Sequence, residues 1–396
     1  MTRQKSVAKA PGRLDFLGGV ADYSGSLVLE MPLRLETKVT IEEIAKETVV
    51  FASHQEGVFE TAFGAKISDL PKWVRYVYGS FSLFCQAKNW RPKTGLRFTI
   101  DSSVPLSMGV SSSAALEVST MRALELFSGK RFVGTALAHL AQRAENEIVG
   151  APCGLMDQLA CAYGVQGKLL PILCRPDVLQ EPVSLPKGVV AVGWPSGIKH
   201  AVSDSPYAAA RAGAFMGKAI VNKVCHRALR HSAELRPGEL HALSRQQLPD
   251  SMSGDEFLSR FGGVDDALTV IERARRYPVR AAIAFPVEEN FRCEAAVALL
   301  RSANRSSRAS VLGIVGELLY QSHAGYTAIG LDSPETDLMV NEVRSLGQKK
   351  GFFGARVSGG GSGGTVVVLL EESSLPTLAR LAARLKLPSP KARFLR

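Results

Sequence analysis

Residues 104–119, VPLSMGVSSSAALEVS, place a glycine and three serines directly before a long run of helix-forming residues. A loop of small residues that opens a helix leaves backbone N–H groups unpaired at the positive end of the helix dipole. Such a junction can cradle a phosphate. It can equally be a turn followed by a capped helix, because serine is a favoured N-cap. The spacing is not that of a P-loop, since no lysine follows the glycine. Both readings put a helix start at the serines.

Around that junction the pattern alternates. VAKAP and LVLEMPLRLETKVTIEEI read as strands, as do GLRFTID, KLLPILC and GVVAVGWPS. Val74, Val77, Tyr78, Phe81, Phe84 and Cys85 fall at helical spacing. TALAHLAQRAENEIVG predicts a further helix, ended by Gly150 and Pro152. From Ser205 the chain is expected to be mainly helical, with helical periodicity in VDDALTVIERARR, FRCEAAVALLRSA and SVLGIVGELLYQS. GFFGARVS and GTVVVLLEE read as strands, and SLPTLARLAARL as a closing helix. The stretch 227–262 is too mixed for a linker and too polar for a core. No repeat of 20–50 residues is present. Strands and helices without regular βαβ alternation favour an α+β fold in two lobes, 1–190 and 191–396.

Composition excludes several classes. No window approaches 18 uncharged apolar residues, so no membrane partner is expected. The first residues, MTRQKSVAKAPGR, are charged without an apolar stretch and are not expected to be a signal peptide. Six cysteines without a CxxC pair read as reduced, mostly buried thiols of a cytoplasmic protein. Seven histidines include no HxH or HExxH pair, which argues against a protein-only metal site. The formal charge of +11 is scattered apart from a cluster in ARLAARLKLPSPKARFLR. Without a basic motif interleaved with aromatics it predicts no nucleic-acid partner, and it suits an enzyme of a polyphosphate substrate.

Two other segments carry chemistry. APGRLDFLGGVADYSGSLVLEMPL, residues 10–33, sets Arg13, Asp15 and Asp22 among apolar residues, either as a structured loop with inward charges or as a solvated turn. ARVSGGGSGGTVVVLL packs five glycines into Gly359–Gly364, interrupted only by Ser362. That run is a linker, a hairpin tip, or a tight turn that lets backbone approach a ligand.

Together the three segments resemble the motifs of the GHMP kinase superfamily, which includes galactokinase and the homoserine, mevalonate and phosphomevalonate kinases. Order and spacing fit, and ENEIVGAPCGLMDQ, residues 145–158, resembles the galactokinase segment that holds the catalytic aspartate. SGIKHAVSDSPYAAAR and GELLYQSHAGY resemble galactokinase segments as well, so the likeness covers nearly the whole chain. It implies a two-lobed fold, ribosomal-S5-like then ferredoxin-like, with ATP between the lobes.

Residue by residue, the resemblance implies that backbone amides of Gly109, Val110, Ser111, Ser112, Ser113 and Ala114 wrap the triphosphate. Ser113 and Glu145 match the family's Mg²⁺ ligands, a hydroxyl and one carboxylate of the kind that ion accepts beside phosphate oxygens. Asp157 matches the catalytic aspartate, as general base or orienting group. Arg13 would offset γ-phosphate charge and hold Asp157 ionised. Asp22, Tyr207 and Gly154 match sugar-binding positions. Cys153 reads as a buried structural thiol.

One departure bears on the sugar. Galactokinases read Gly-Glu-His-Thr-Asp-Tyr where this chain reads Gly18-Gly19-Val20-Ala21-Asp22-Tyr23. In that family the Glu–His pair contacts the hydroxymethyl end of galactose. A hydroxyl buried there without a partner costs about 1–3 kcal/mol, enough to shift preference tenfold or more. L-Arabinopyranose is galactopyranose without that group, and several segments, among them LPDSMSGDEFL, resemble the kinase part of plant L-arabinokinases. Those proteins carry an additional N-terminal region, to which no segment of this sequence is expected to correspond. The expectation is an L-arabinose 1-kinase using ATP and Mg²⁺, a monomer or weak homodimer. The alternatives are a kinase of galactose or another galacto-configured sugar, and a non-catalytic sugar and ATP sensor.

Overall fold

The computed structural model describes residues 4–198 and 206–388. The last residues of the basic C-terminal cluster and part of SGIKHAVSDSPYAAAR lie outside them. The chain forms two compact units that interleave: 1–13, 32–106 and 111–164 in the first, and 14–31, 107–110 and 165–396 in the second. The sequence reading draws a single boundary at 190.

The first unit holds most of β1 (Lys5–Leu17) and the later part of β2 (Leu27–Ile44). It continues with β3 (Val49–Ser53), β4 (Gly57–Thr61), α1 (Lys72–Lys88), β5 (Gly95–Ser102), α2 (Ser112–Ser128), α3 (Ala136–Arg143) and α4 (Met156–Tyr163). β2 runs antiparallel to β5 from Thr37 opposite Ser102 to Ile44 opposite Gly95. β3 lies parallel to β5 and forms a hairpin with β4. Alternation along β2 and β5 sends Val39, Ile41, Leu96, Phe98 and Ile100 to one face. There they meet Val74, Val77, Phe81 and Phe84, the stripe that helical spacing in α1 predicts. Phe51 stacks on Phe98 at 5.4 Å.

α2 is rich in Ala, Leu, Glu and Met, all good helix formers. It buries Ala114, Ala115, Val118, Met121 and Leu124 and ends at Gly129 in the left-handed region. The helix after Thr135 is regular only to Arg143. Ala144–Val149 then winds as a π-helix, closed by Gly150 at φ 81°.

The second unit adds β6 (Lys168–Leu173), the two-residue strands β7 (Val178–Leu179) and β8 (Val183–Ser184), β9 (Val189–Pro195) and α5 (Pro206–Val224). α6 (Pro237–Gln247), β10 (Met252–Ser253), α7 (Gly254–Phe261), β11 (Arg276–Tyr277), α8 (Val279–Ser302), α9 (Arg308–Ala328) and α10 (Pro334–Leu346) follow. β12 (Phe352–Ser358), β13 (Thr365–Glu371) and α11 (Leu375–Arg384) complete it. β12, β13 and β9 form an antiparallel sheet in that order. α9 lies on β12 through two glycines: a Cβ on Gly316 would stand 2.0 Å from the Phe353 carbonyl oxygen, and one on Gly354 2.4 Å from that of Gly316. Only bare backbone allows that approach.

Two sequence expectations need correction. VDDALTVIERARR is not a helix but an irregular segment leading into β11. Its acids are drawn off by cations of α5: Arg211 grips Asp266 with contacts of 2.9–3.1 Å, and Lys218 holds Asp265 at 2.8 Å. Val270, 77% exposed, has no core face to join. The stretch 227–262 does enter a core, through Leu235, Leu240, Leu248, Met252 and Phe257 packed on α5 and α8. No described helix is long and apolar enough to cross a membrane. None of the six cysteines forms a disulfide; three are buried and three half-buried.

Candidate active site

In the first unit, α2 begins without a side-chain cap. Ser111 stands before it at φ 56°, and its buried hydroxyl has no hydrogen-bond partner. The first turn carries no acidic residue, and its first helical bond runs from Ala115 N–H to the Ser111 carbonyl at 3.0 Å. The backbone N–H groups of Ser112, Ser113 and Ala114 therefore precede the hydrogen-bonded ladder, at the positive end of the dipole. Capping by serine is not what holds this junction.

Ser113 points its hydroxyl at Glu145, which the π-helical turn carries inward. Glu145 is 7% exposed, not the solvated helix charge that a glutamate usually is. Its Oε2 accepts Gln158 Nε2 at 2.8 Å and faces Cys153 Sγ at 3.6 Å. Burial pushes its carboxyl up to about 7, with the Asp157 charge adding to the rise. The hydrogen bonds from Ser113, Cys153 and Gln158 oppose it.

Asp157 lies in the first turn of α4. One of its oxygens, Oδ1, receives Arg13 Nε at 2.8 Å and Nη2 at 2.7 Å. Arg13 is nearly enclosed, with 3% of its side chain exposed, whereas Asp157 keeps 21%. The pair thus holds one carboxylate oxygen while part of the group stays accessible. Gly154 lies half-buried just before α4. That loop is stapled by Asn146, whose side chain receives Cys153 N–H at 2.9 Å, and by Gln142, which donates to the Cys153 carbonyl at 3.2 Å. Cys153 is half-buried rather than buried, its thiol directed at Glu145 and Asn146.

Sequence reasoning missed two neighbours. Glu117, wholly buried one turn beyond Ser113, accepts the same Gln158 amide at 3.2 Å, and its second oxygen has no partner. Burial, then the charge of Glu145, raises its carboxyl well above the ordinary value. A carboxylate on the apolar stripe of α2, beside Ala114 and Val118, was the signal available.

The second unit holds the remaining candidates. Gly19–Ser24 forms a 3₁₀ turn in which Gly19, Val20, Ala21, Asp22 and Ser24 are buried. Asp22 accepts the N–H of Tyr23 at 2.7 Å. Tyr23 meets Tyr207 edge to face at 6.0 Å, and Val20, Ala21 and Tyr207 share one apolar cluster with Tyr326. Val20 is 2% exposed, so it acts by filling space. Asp15, wholly buried, accepts Gly19 N–H at 3.1 Å, Arg356 Nη1 at 2.9 Å and Gly359 N–H at 2.9 Å. The first segment is a structured loop with inward charges, and the glycine run is a tight turn tied to it. Gly109 and Val110 lie in this unit too. Thr365 donates to the Met108 carbonyl at 2.7 Å, and a Cβ on Gly109 would stand 3.1 Å from the Ser358 carbonyl oxygen. Among the described residues no group of three or more His, Cys, Asp or Glu could hold a metal.

The family description for the GHMP kinases N terminal domain matches residues 75–165, and that for the GHMP kinases C terminal matches 300–387. The chain is 33% identical to L-arabinokinase of Arabidopsis thaliana over 89% of its own length, and spans 41% of that protein. It is 30% identical to galactokinase of Canis lupus familiaris, covering 92% of this chain and 83% of the relative. Lactococcus lactis galactokinase, solved with galactose, superposes with a TM-score of 0.77 at 21% identity, over 97% of this chain and 91% of that one. The α+β fold is that of these kinases, and the chain belongs to the GHMP kinase family, in its galactokinase-like branch.

Proposed function

We propose that this chain transfers the γ-phosphate of ATP to the anomeric hydroxyl of L-arabinose, giving L-arabinose 1-phosphate and ADP. The observation that carries the kinase reading is the cluster of the first unit, in which Arg13 clamps one oxygen of Asp157 beside the Ser113–Glu145 contact. In this reading the anomeric oxygen attacks the γ-phosphorus, the bond to the β-phosphate oxygen breaks, and Asp157 takes or orients the departing proton. Arg13 holds the carboxylate in place and offsets charge on the transferred group. The N–H groups of Gly109, Val110, Ser111, Ser112, Ser113 and Ala114 are assigned to the triphosphate. Asp22, Tyr207 and Gly154 are assigned to the sugar.

A hydroxyl and one buried carboxylate in mutual contact, with the acids Glu117 and Asp157 nearby, suit Mg²⁺, which takes its other oxygens from phosphate and water. When bound, that ion supplies charge neutralisation across the β- and γ-phosphates. The protein is read as a cytoplasmic monomer or weak homodimer.

Gly19 and Val20 support the pentose by what they lack: neither offers a side-chain hydrogen bond to a sixth-carbon hydroxyl. The several relatives named galactokinase favour galactose as the second reading. Coupled ADP release with Mg-ATP, comparing L-arabinose and D-galactose at matched concentration, separates them. A preference for arabinose of about tenfold or more is expected. Preference for galactose overturns the pentose and leaves the kinase. Absence of turnover with any galacto-configured sugar, alongside binding of ATP and sugar, overturns the kinase in favour of a sensor.

A further inference from the structure

Position 19 has no room for a side chain. Gly19 sits at φ 56°, and a Cβ there would stand 2.0 Å from Tyr326 Oη, 2.8 Å from Tyr326 Cζ and 2.7 Å from Arg356 Nη2. None of these atoms is the loose end of a surface chain. Tyr326 is fully buried. Its hydroxyl donates to the Gly359 carbonyl at 2.5 Å and accepts the Val20 N–H at 3.1 Å. Its ring meets Phe285 edge to face at 5.2 Å and lies 5.0 Å below the Arg356 guanidinium. Arg356 is held in turn by Asp15, which also receives the Gly19 and Gly359 N–H groups. One tyrosine therefore bridges the turn that carries Val20 and Asp22 to the glycine-rich turn, while occupying the space a residue-19 side chain would need.

We infer that Tyr326 is a specificity-determining residue: it forces bare backbone at position 19, and so denies the sugar a hydrogen-bonding side chain there. The inference rests on the sugar-kinase reading above for its functional half; its steric half stands on the geometry alone. Tyr326 reaches position 19 from α9, more than 300 residues along the chain. The left-handed φ of 56° already favours glycine there, and Tyr326 takes the space a side chain would still need.

Three variants test this with two readouts, thermal melting and the ratio of kcat/KM for L-arabinose over D-galactose. Gly19→Glu alone should melt well below wild type or fail to accumulate as folded protein, because Tyr326 cannot yield. Gly19→Glu combined with Tyr326→Leu should recover part of that loss, since leucine keeps an apolar contact with Phe285 while withdrawing the hydroxyl and outer ring; the left-handed backbone and Arg356 Nη2, 2.7 Å away, still oppose the side chain. In the double variant the arabinose-over-galactose ratio should fall at least tenfold. Tyr326→Leu alone should fold and keep the wild-type direction of preference, because position 19 still offers nothing to a sixth-carbon hydroxyl. A Gly19→Glu protein as stable as wild type, or a double variant no more stable than Gly19→Glu, overturns the steric half. A folded, active double variant with an unchanged ratio overturns the specificity role. If the wild type itself prefers galactose, the pentose assignment fails, and the melting comparison still decides whether Tyr326 closes position 19.

Discussion

Replacing Glu145 by glutamine should stabilise the metal-free protein above neutral pH. The carboxyl is buried, and burial together with the neighbouring Asp157 charge pushes it from an ordinary value of 4.5 to about 7. The folded state therefore holds this proton more tightly than the unfolded chain does. Its contribution to stability is fully present below about 4.5 and is lost as pH rises through about 7. A separation of about 2.5 in pKa corresponds to about 3 kcal/mol over the whole window, of which about 2 kcal/mol is lost between pH 5.5 and 8. Glutamine of the same length has no charge to desolvate, so the variant lacks this slope. Urea unfolding in the presence of a chelator at pH 5.5, 7 and 8 reads it directly. Glu117 is present in both proteins but is itself pushed up partly by the Glu145 charge, so the difference between them reads Glu145 together with that coupling. Parallel pH profiles, or a variant less stable than wild type at pH 8, would refute the reasoning. Saturating Mg-ATP should flatten the wild-type slope, because the ionised carboxylate then has a cation beside it, and should not change the profile of the variant.

Three further outcomes follow from the geometry. Asp157→Asn keeps an oxygen for Arg13 but cannot take a proton, and turnover should fall by about 10²–10⁴ while ATP binding by calorimetry stays near wild type; retention of a tenth of the rate removes Asp157 from the chemistry. Gly316→Ala would drive a methyl into the Phe353 carbonyl 2.0 Å away and should cost about 3 kcal/mol in urea unfolding, unless α9 can lift from β12 without loss. Asp266→Ala strands the buried Arg211 guanidinium, for a loss of about 3 kcal/mol; an unchanged midpoint would mean that the irregular segment is not held by this pair.

Much of the frame is local and was legible. α1, α2, β2, β5 and the β12–β13 hairpin follow from hydrophobic period, and the helix start at Ser112 follows from the serine block, because such signals lie within a few residues of what they control. The Arg13–Asp157 and Ser113–Glu145 contacts came within reach only through resemblance, since 144 residues separate the first pair. Where an element's fate depended on distant partners, the local pattern misled. VDDALTVIERARR has helical spacing, yet Arg211 and Lys218 claim its two aspartates and leave Val270 in solvent. The polar stretch 227–262 hides core residues, Leu240 and Phe257 on the buried faces of α6 and α7 and Leu235, Leu248 and Met252 outside those helices, because average polarity does not show which positions face inward. Glu117 and Gln158 stand out only once folded, where burial leaves one oxygen of each without a partner. The sequence by itself determined the family, the loop–helix junction and the absence of hydrogen-bonding side chains at positions 19 and 20. Only the tertiary structure decided why position 19 must stay bare: Tyr326 and Arg356, brought from across the chain, occupy the space in front of it, and contacts of that range are set by packing rather than by any local propensity.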